Sequence, residues 1–112
     1  MTTITIVQLV APFQLAGADA TVYTAPTSTT AKIGREVFTN TTASAQTITA
    51  GITTGGALGA ATTMISARTL APGESYVSPE LAGAVIPAGS VLRGYAGAAT
   101  SVTFTASGLV VQ

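Results

Sequence analysis

The sequence predicts an all-β fold, an antiparallel β-sandwich of about eight strands, of jelly-roll or Greek-key type. Three observations carry that prediction. Apolar residues recur with period two rather than 3.6, the spacing that sends alternate side chains to opposite faces of a strand. Threonine makes up about a fifth of the 112 residues, and its β-branched side chain suits the solvated face of a sheet. Turn signals interrupt the runs about every 8–12 residues, the rhythm of a sandwich or barrel.

The elements follow in order. A first strand is read at 3–10, where Ile4 and Ile6 alternate with Thr3 and Thr5. Ala16-Gly17-Ala18-Asp19 turns the chain into a second at 20–25, which stops at Pro26. The third runs over 31–40 and ends in the turn-forming Asn40-Thr41-Thr42. In the fourth, 45–53, Ile48, Ala50 and Ile52 alternate with Thr47, Thr49 and Gly51. Gly55-Gly56 and Gly59 mark a long loop, and Ala57 to Thr63 is the one place for a short helix or disorder. The fifth strand is read at 62–70. Pro72-Gly73 and Ala88-Gly89 are tight-turn dipeptides that introduce a sixth strand at 74–78 and a seventh at 90–96. Gly97-Ala98-Ala99 reads as a hairpin into the last strand, 101–111, where Val102, Phe104 and Ala106 alternate with Thr103 and Thr105. The length suits one domain over 1–112, with 1–12 either its first strand or a docking arm that adds to a partner's sheet edge.

Charge bounds the function. Only 7% of residues are charged, and the eight charges sum to zero, against about 25% in ordinary soluble domains. The polar surface is therefore mostly hydroxyl, which costs far less to desolvate than Lys or Glu. That suits a protein largely covered by other subunits, or a low-complexity surface on an extracellular domain. Four scattered cations cannot neutralise a run of phosphates, so no nucleic acid is expected as a partner. The longest weakly polar run, Leu81 to Leu92, contains Pro87 and is too short for a bilayer, so no membrane is expected either. The N-terminal run has no Lys or Arg ahead of its apolar part and makes a poor signal peptide.

The chain has no His, no Cys and no Trp. Ser-His-Asp and Cys-His catalysis and Cys/His zinc sites are thereby removed, and there is no phosphate-loop motif. Glu74 and Glu80 are the nearest pair of carboxylates for acid–base work, but too few aromatic residues surround them for a glycosidase cleft. Asp19 is the only Asp, so a calcium loop is not expected. No catalytic residue, cofactor or metal is assigned. Asn40-Thr41-Thr42 matches the glycosylation sequon, with a turn-forming Asn as the simpler reading.

The candidates that remain are for contact with partners. Ile4 and Ile6 lie in the first strand. Arg35 and Glu36 fall on opposite faces of a strand, so either one faces inward or the strand is an edge. Arg93 and Tyr95 share a face, and both residue types are enriched at interface hot spots. Tyr23, Tyr76 and Tyr95 are the only tyrosines that a glycan- or receptor-binding surface could use.

From Val22 to Val110 the chain resembles small β-sandwich virion proteins of tailed bacteriophages. The resemblance rests on the run Thr29 to Thr41, an alternating Thr/Ile strand, a Gly-rich loop, the Leu70-to-Glu74 and Pro87-to-Ser90 turns, and the strand Val102 to Gly108. It implies a non-enzymatic capsid decoration or cement protein. Such a protein sits on the particle exterior, clamps neighbouring major capsid subunits, and is often a dimer or trimer. A tail, head–tail or fibre component with a receptor-recognition role is the alternative it implies.

Overall fold

The computed structural model describes residues 2–112. Its nine strands are β1 (Ile4–Gln14), β2 (Ala20–Thr24), β3 (Thr30–Asn40), β4 (Gln46–Thr53), β5 (Thr63–Leu70), β6 (Ser75–Val77), β7 (Val85–Ile86), β8 (Val91–Ala96) and β9 (Val102–Val111). They form two antiparallel sheets. One has the order β1-β9-β3-β6, with β7 also on β3; the other has the order β2-β8-β4-β5.

The pairing is nested. β1 pairs with β9, β2 with β8, β3 with β6 and β7, and β4 with β5. The chain is thus one long hairpin, folded back at residues 54–62 and rolled so that successive pairs fall in alternate sheets. That is jelly-roll topology. The expected eight strands become nine because the strand opposite β3 is broken. Residues 78–82 leave the sheet and bury Leu81; Gly83 and Ala84 hydrogen-bond back to Ile33 and lead into β7, which is too short to show alternation.

Two further expectations are corrected. Gly97-Ala98-Ala99 is not a hairpin, because β8 and β9 belong to different sheets. Residues 97–101 arch between the layers, where Ala96 and Gly97 donate to the carbonyls of Ala16 and Thr47. The segment 57–63 holds no helix; it is a loop with a turn at 60–62, and Thr63 already begins β5. By contrast, Pro72-Gly73 and Ala88-Gly89 are both hydrogen-bonded turns, Glu74 N to Ala71 O and Ser90 N to Pro87 O, each with its glycine at positive φ (+75° and +80°). Only glycine adopts that conformation without strain.

The core lies between the sheets. All three phenylalanines form one row across β1, β9 and β3, with Phe38 and Phe104 buried and Phe13 at its exposed end. Phe38 and Phe104 have ring centroids 4.7 Å apart, and Phe13 meets Phe104 edge-on at 6.3 Å. Ile33, Ile48, Leu70, Leu81, Ile86 and Leu92 are buried around them. A void of about 10 Å³ lies beside Leu15, Phe38, Leu92 and Phe104, room for one water at most.

Asn40 fastens one corner and is fully buried. Its amide Nδ2 donates to the carbonyls of Ser44, Leu70 and Ala71, and its Oδ1 accepts from the backbone and hydroxyl of Thr42. The sequon asparagine is therefore a turn anchor, inaccessible in the folded chain.

Candidate interaction site

The six candidate contact residues fall in three places. Ile4, Ile6 and Arg35 are on the outer face of the β1-β9-β3-β6 sheet. Glu36 is in the core. Arg93 and Tyr95 are on the outer face of the other sheet.

The first place is an apolar patch. Ile4 pairs with Val111 and Ile6 with Leu109 across β1 and β9; Leu109 pairs in turn with Lys32, and Lys32 with Val85. Directly paired residues share a face. Ala31 and Ile86 take the buried face, so Lys32 and Val85 point out, and Ile4, Ile6, Leu109 and Val111 point out with them. Ile4 is 65% exposed, Ile6 89% and Val85 51%. Arg35, exposed and paired with Ser107, lies two residues further along β9 on the same face. Leu109, Val111 and Val85 were not legible as part of this patch. The run Gly108 to Val111 is apolar on both faces, so alternation could not say which side faces solvent.

The patch borders a free sheet edge. Thr3 and Gln112 exchange both backbone hydrogen bonds, at 2.8 and 2.9 Å. In an antiparallel ladder such pairs alternate with pairs whose N–H and C=O groups point the other way. Ile4 and Ile6 therefore turn their backbone groups away from β9, to the outside of an edge strand. No charged residue lies anywhere from Thr2 to Ala18, although charge is the usual guard of such an edge.

Glu36 is the inward-facing member of the Arg35–Glu36 pair, and a β-bulge decides it. Ile33 lies opposite Gly108, yet Arg35 lies opposite Ser107, so Gly34 is an extra residue. Inward parity shifts from Ala31 and Ile33 to Glu36, Phe38 and Asn40. Glu36 is 0% exposed and, among the described residues, neither carboxylate oxygen has a hydrogen-bond partner. Burial is the main cause that pushes its pKa up to about 7, and the Glu80 carboxylate adds to the rise. Glu80 itself accepts the Tyr76 hydroxyl at 2.6 Å, which holds its carboxyl below the ordinary range. The Arg68 guanidinium lies 3.9 Å above the Tyr76 ring. Glu74 accepts from the Ala71 amide at its own turn. Glu74 and Glu80 are thus each engaged locally.

Arg93 is tied within the chain. Its Nε donates to Asp19 at 3.0 Å and its Nη1 to Thr21 at 3.0 Å. Asp19 also accepts the Leu58 amide at 2.9 Å. That amide is the largest single cause that keeps its carboxyl below the usual range, and the Arg93 hydrogen bond and charge lower it further against burial. Leu58 and Thr62 close over Gly51, where a Cβ would stand 2.8 Å from Leu58 Cδ2 and 2.0 Å from the Thr62 carbonyl oxygen. Tyr95, half-buried, pairs with Thr49 beside them.

No family model matches the chain, and no curated protein matches it in sequence. Solved structures do. In the structure of infectious bursal disease virus Gx strain, the matching chain is 18% identical with TM-score 0.54, over 99% of this chain and 32% of that one. The VP2 subviral particle of the same virus gives 19% identity and TM-score 0.54, over 98% and 32%. A further viral particle of that virus gives 15% identity and TM-score 0.56, over 98% and 30%. The chain therefore spans about a third of the length of each. At these identities the likeness is one of fold: a two-sheet β-sandwich like one portion of these virus-particle chains.

Proposed function

We propose that this chain is a non-enzymatic structural protein of a virus particle, a capsid decoration or cement protein that clamps neighbouring shell subunits. The observation that carries the proposal is the nested jelly-roll pairing, which runs over nearly the whole chain and resembles chains of an animal virus particle. The near-absence of charge supports it, since a hydroxyl-rich surface is cheap to cover. So does the apolar outer face around Ile4, Ile6, Leu109 and Val85. The sequence resemblance to virion proteins of tailed bacteriophages suggests the type of particle. On this reading the chain is made in the host cytoplasm and added to the particle exterior. Its partners are the major capsid protein and further copies of itself.

A receptor-recognition role in a tail or fibre asks for aromatic residues that converge. Tyr23, Tyr76 and Tyr95 stand instead on three strands in two sheets, and Tyr23 packs against the core.

Particles stripped of the protein test the clamp. They are expected to lose heat and osmotic resistance and to regain it when the protein is added back. Stripped shells as resistant as intact ones would overturn the cement reading.

A further inference from the structure

We infer that the free edge of β1 is a self-association edge: a second copy of this chain adds to it, antiparallel, about a two-fold axis at Thr5. This deepens the proposed function by naming the surface and geometry of the oligomer. It is decided on the isolated chain, so it can fail while the particle assignment stands.

Three observations lead there. The backbone groups of Ile4 and Ile6 point away from β9 with no partner among the described residues, as the Thr3–Gln112 pair dictates. Their side chains are the two most exposed large apolar groups of the protein's described residues. Thr5 faces inward yet is exposed, so this end of β1 is not covered by the other sheet and a neighbour can approach it.

The occupant follows from complementarity. A two-fold at Thr5 sets Ile4 of each copy opposite Ile6 of the other. Those are the residues whose backbone groups are free, so the pairs are hydrogen-bonded as well as apolar. Thr5, whose backbone bonds go to β9, then meets its own copy as a non-bonded pair, which keeps the ladder alternating. With no charge from Thr2 to Ala18, two copies of this strand meet without repulsion. The other edges differ: β2 follows directly on Asp19 and is irregular between Thr21 and Tyr23, β5 carries Arg68 and a positive-φ residue, Ala67, and β6 is followed by the departing segment with Glu80. A closed, isologous dimer results, its sheet continuous through both sandwiches and its two patches side by side.

The test uses the full chain in solution. Sedimentation equilibrium at rising concentration, up to high micromolar, is expected to show a dimer. Ile6→Lys, at an exposed position, is expected to fold with an unchanged circular dichroism spectrum and to be monomeric. Val77→Lys, on the opposite edge, is expected to remain dimeric. Because the chain has no cysteine, Thr5→Cys supplies a second readout. Mild oxidation should cross-link it to a covalent dimer, and Val77→Cys should not cross-link. A monomeric wild type, a dimeric Ile6→Lys protein, or a Thr5→Cys protein that fails to cross-link would each overturn the inference.

Discussion

Asp19 and Arg93, 74 residues apart in sequence, form an ion pair at 3.0 Å that also holds the Leu58 amide. The pair joins the start of β2 to β8 and fixes the loop at which the whole chain folds back. Asp19→Ala should release residues 54–62 and leave Arg93 half-buried without its partner. We expect a loss of about 1 kcal/mol, the range of a partly exposed pair with a charge-assisted bond. Limited proteolysis should show new cleavage within 54–62. Because the carboxyl is held below its ordinary range, this contribution is present at neutral pH and is lost only as pH falls through that depressed pKa.

Glu36 predicts the opposite pH dependence. Its carboxyl is raised from 4.5 to about 7 in the folded chain, so the folded state holds the proton more tightly. Its stabilising effect is complete below the unfolded pKa and is lost as pH rises through about 7. The shift corresponds to roughly 3 kcal/mol between those limits. Denaturant unfolding at pH 5 and pH 8 should show greater stability at pH 5. In Glu36→Gln, neutral throughout, that difference should largely vanish.

Much of this fold was legible in the sequence, and what was missed has physical causes. Eight strand positions follow from alternation and from turns such as Pro72-Gly73. The face of Glu36 was not readable from alternation alone. The Gly34 bulge inverts the parity of β3 midway, and its one signal, a glycine inside a strand run, was passed over. The sheet change between β8 and β9 was hidden because a short Gly-Ala turn serves an arch as well as a hairpin. Ile4 and Ile6 were legible as candidates by pattern. Leu109 and Val85 joined them only through register, which is a property of pairing and not of one strand.

Gly108 lies against the bulge. A Cβ there would stand 2.0 Å from the Lys32 carbonyl oxygen and 2.9 Å from the Gly34 amide nitrogen. Both are backbone atoms of a central strand, so relief requires the β3–β9 ladder to shift. Gly108→Ala should cost at least about 2 kcal/mol. Gly59→Ala, with open space around it, should stay within about 0.5 kcal/mol of wild type. Thermal unfolding of the two variants checks the contrast.

Asn40→Asp should destabilise strongly, by about 3 kcal/mol or more, because it replaces a buried donor to three carbonyls with a carboxylate facing them. The loss should shrink at acidic pH, where the new carboxyl is protonated. Denaturant midpoints across pH measure it.

On the proposed function, this sandwich is a repeated part of a virus shell. Electron cryo-microscopy of purified particles tests it most directly, by locating and counting the chain. Density for the nested sandwich is expected at symmetry-related sites over the exterior, with on the order of hundreds of copies per particle. Absence from the particle, or confinement to a few copies at one vertex or tail, would contradict it.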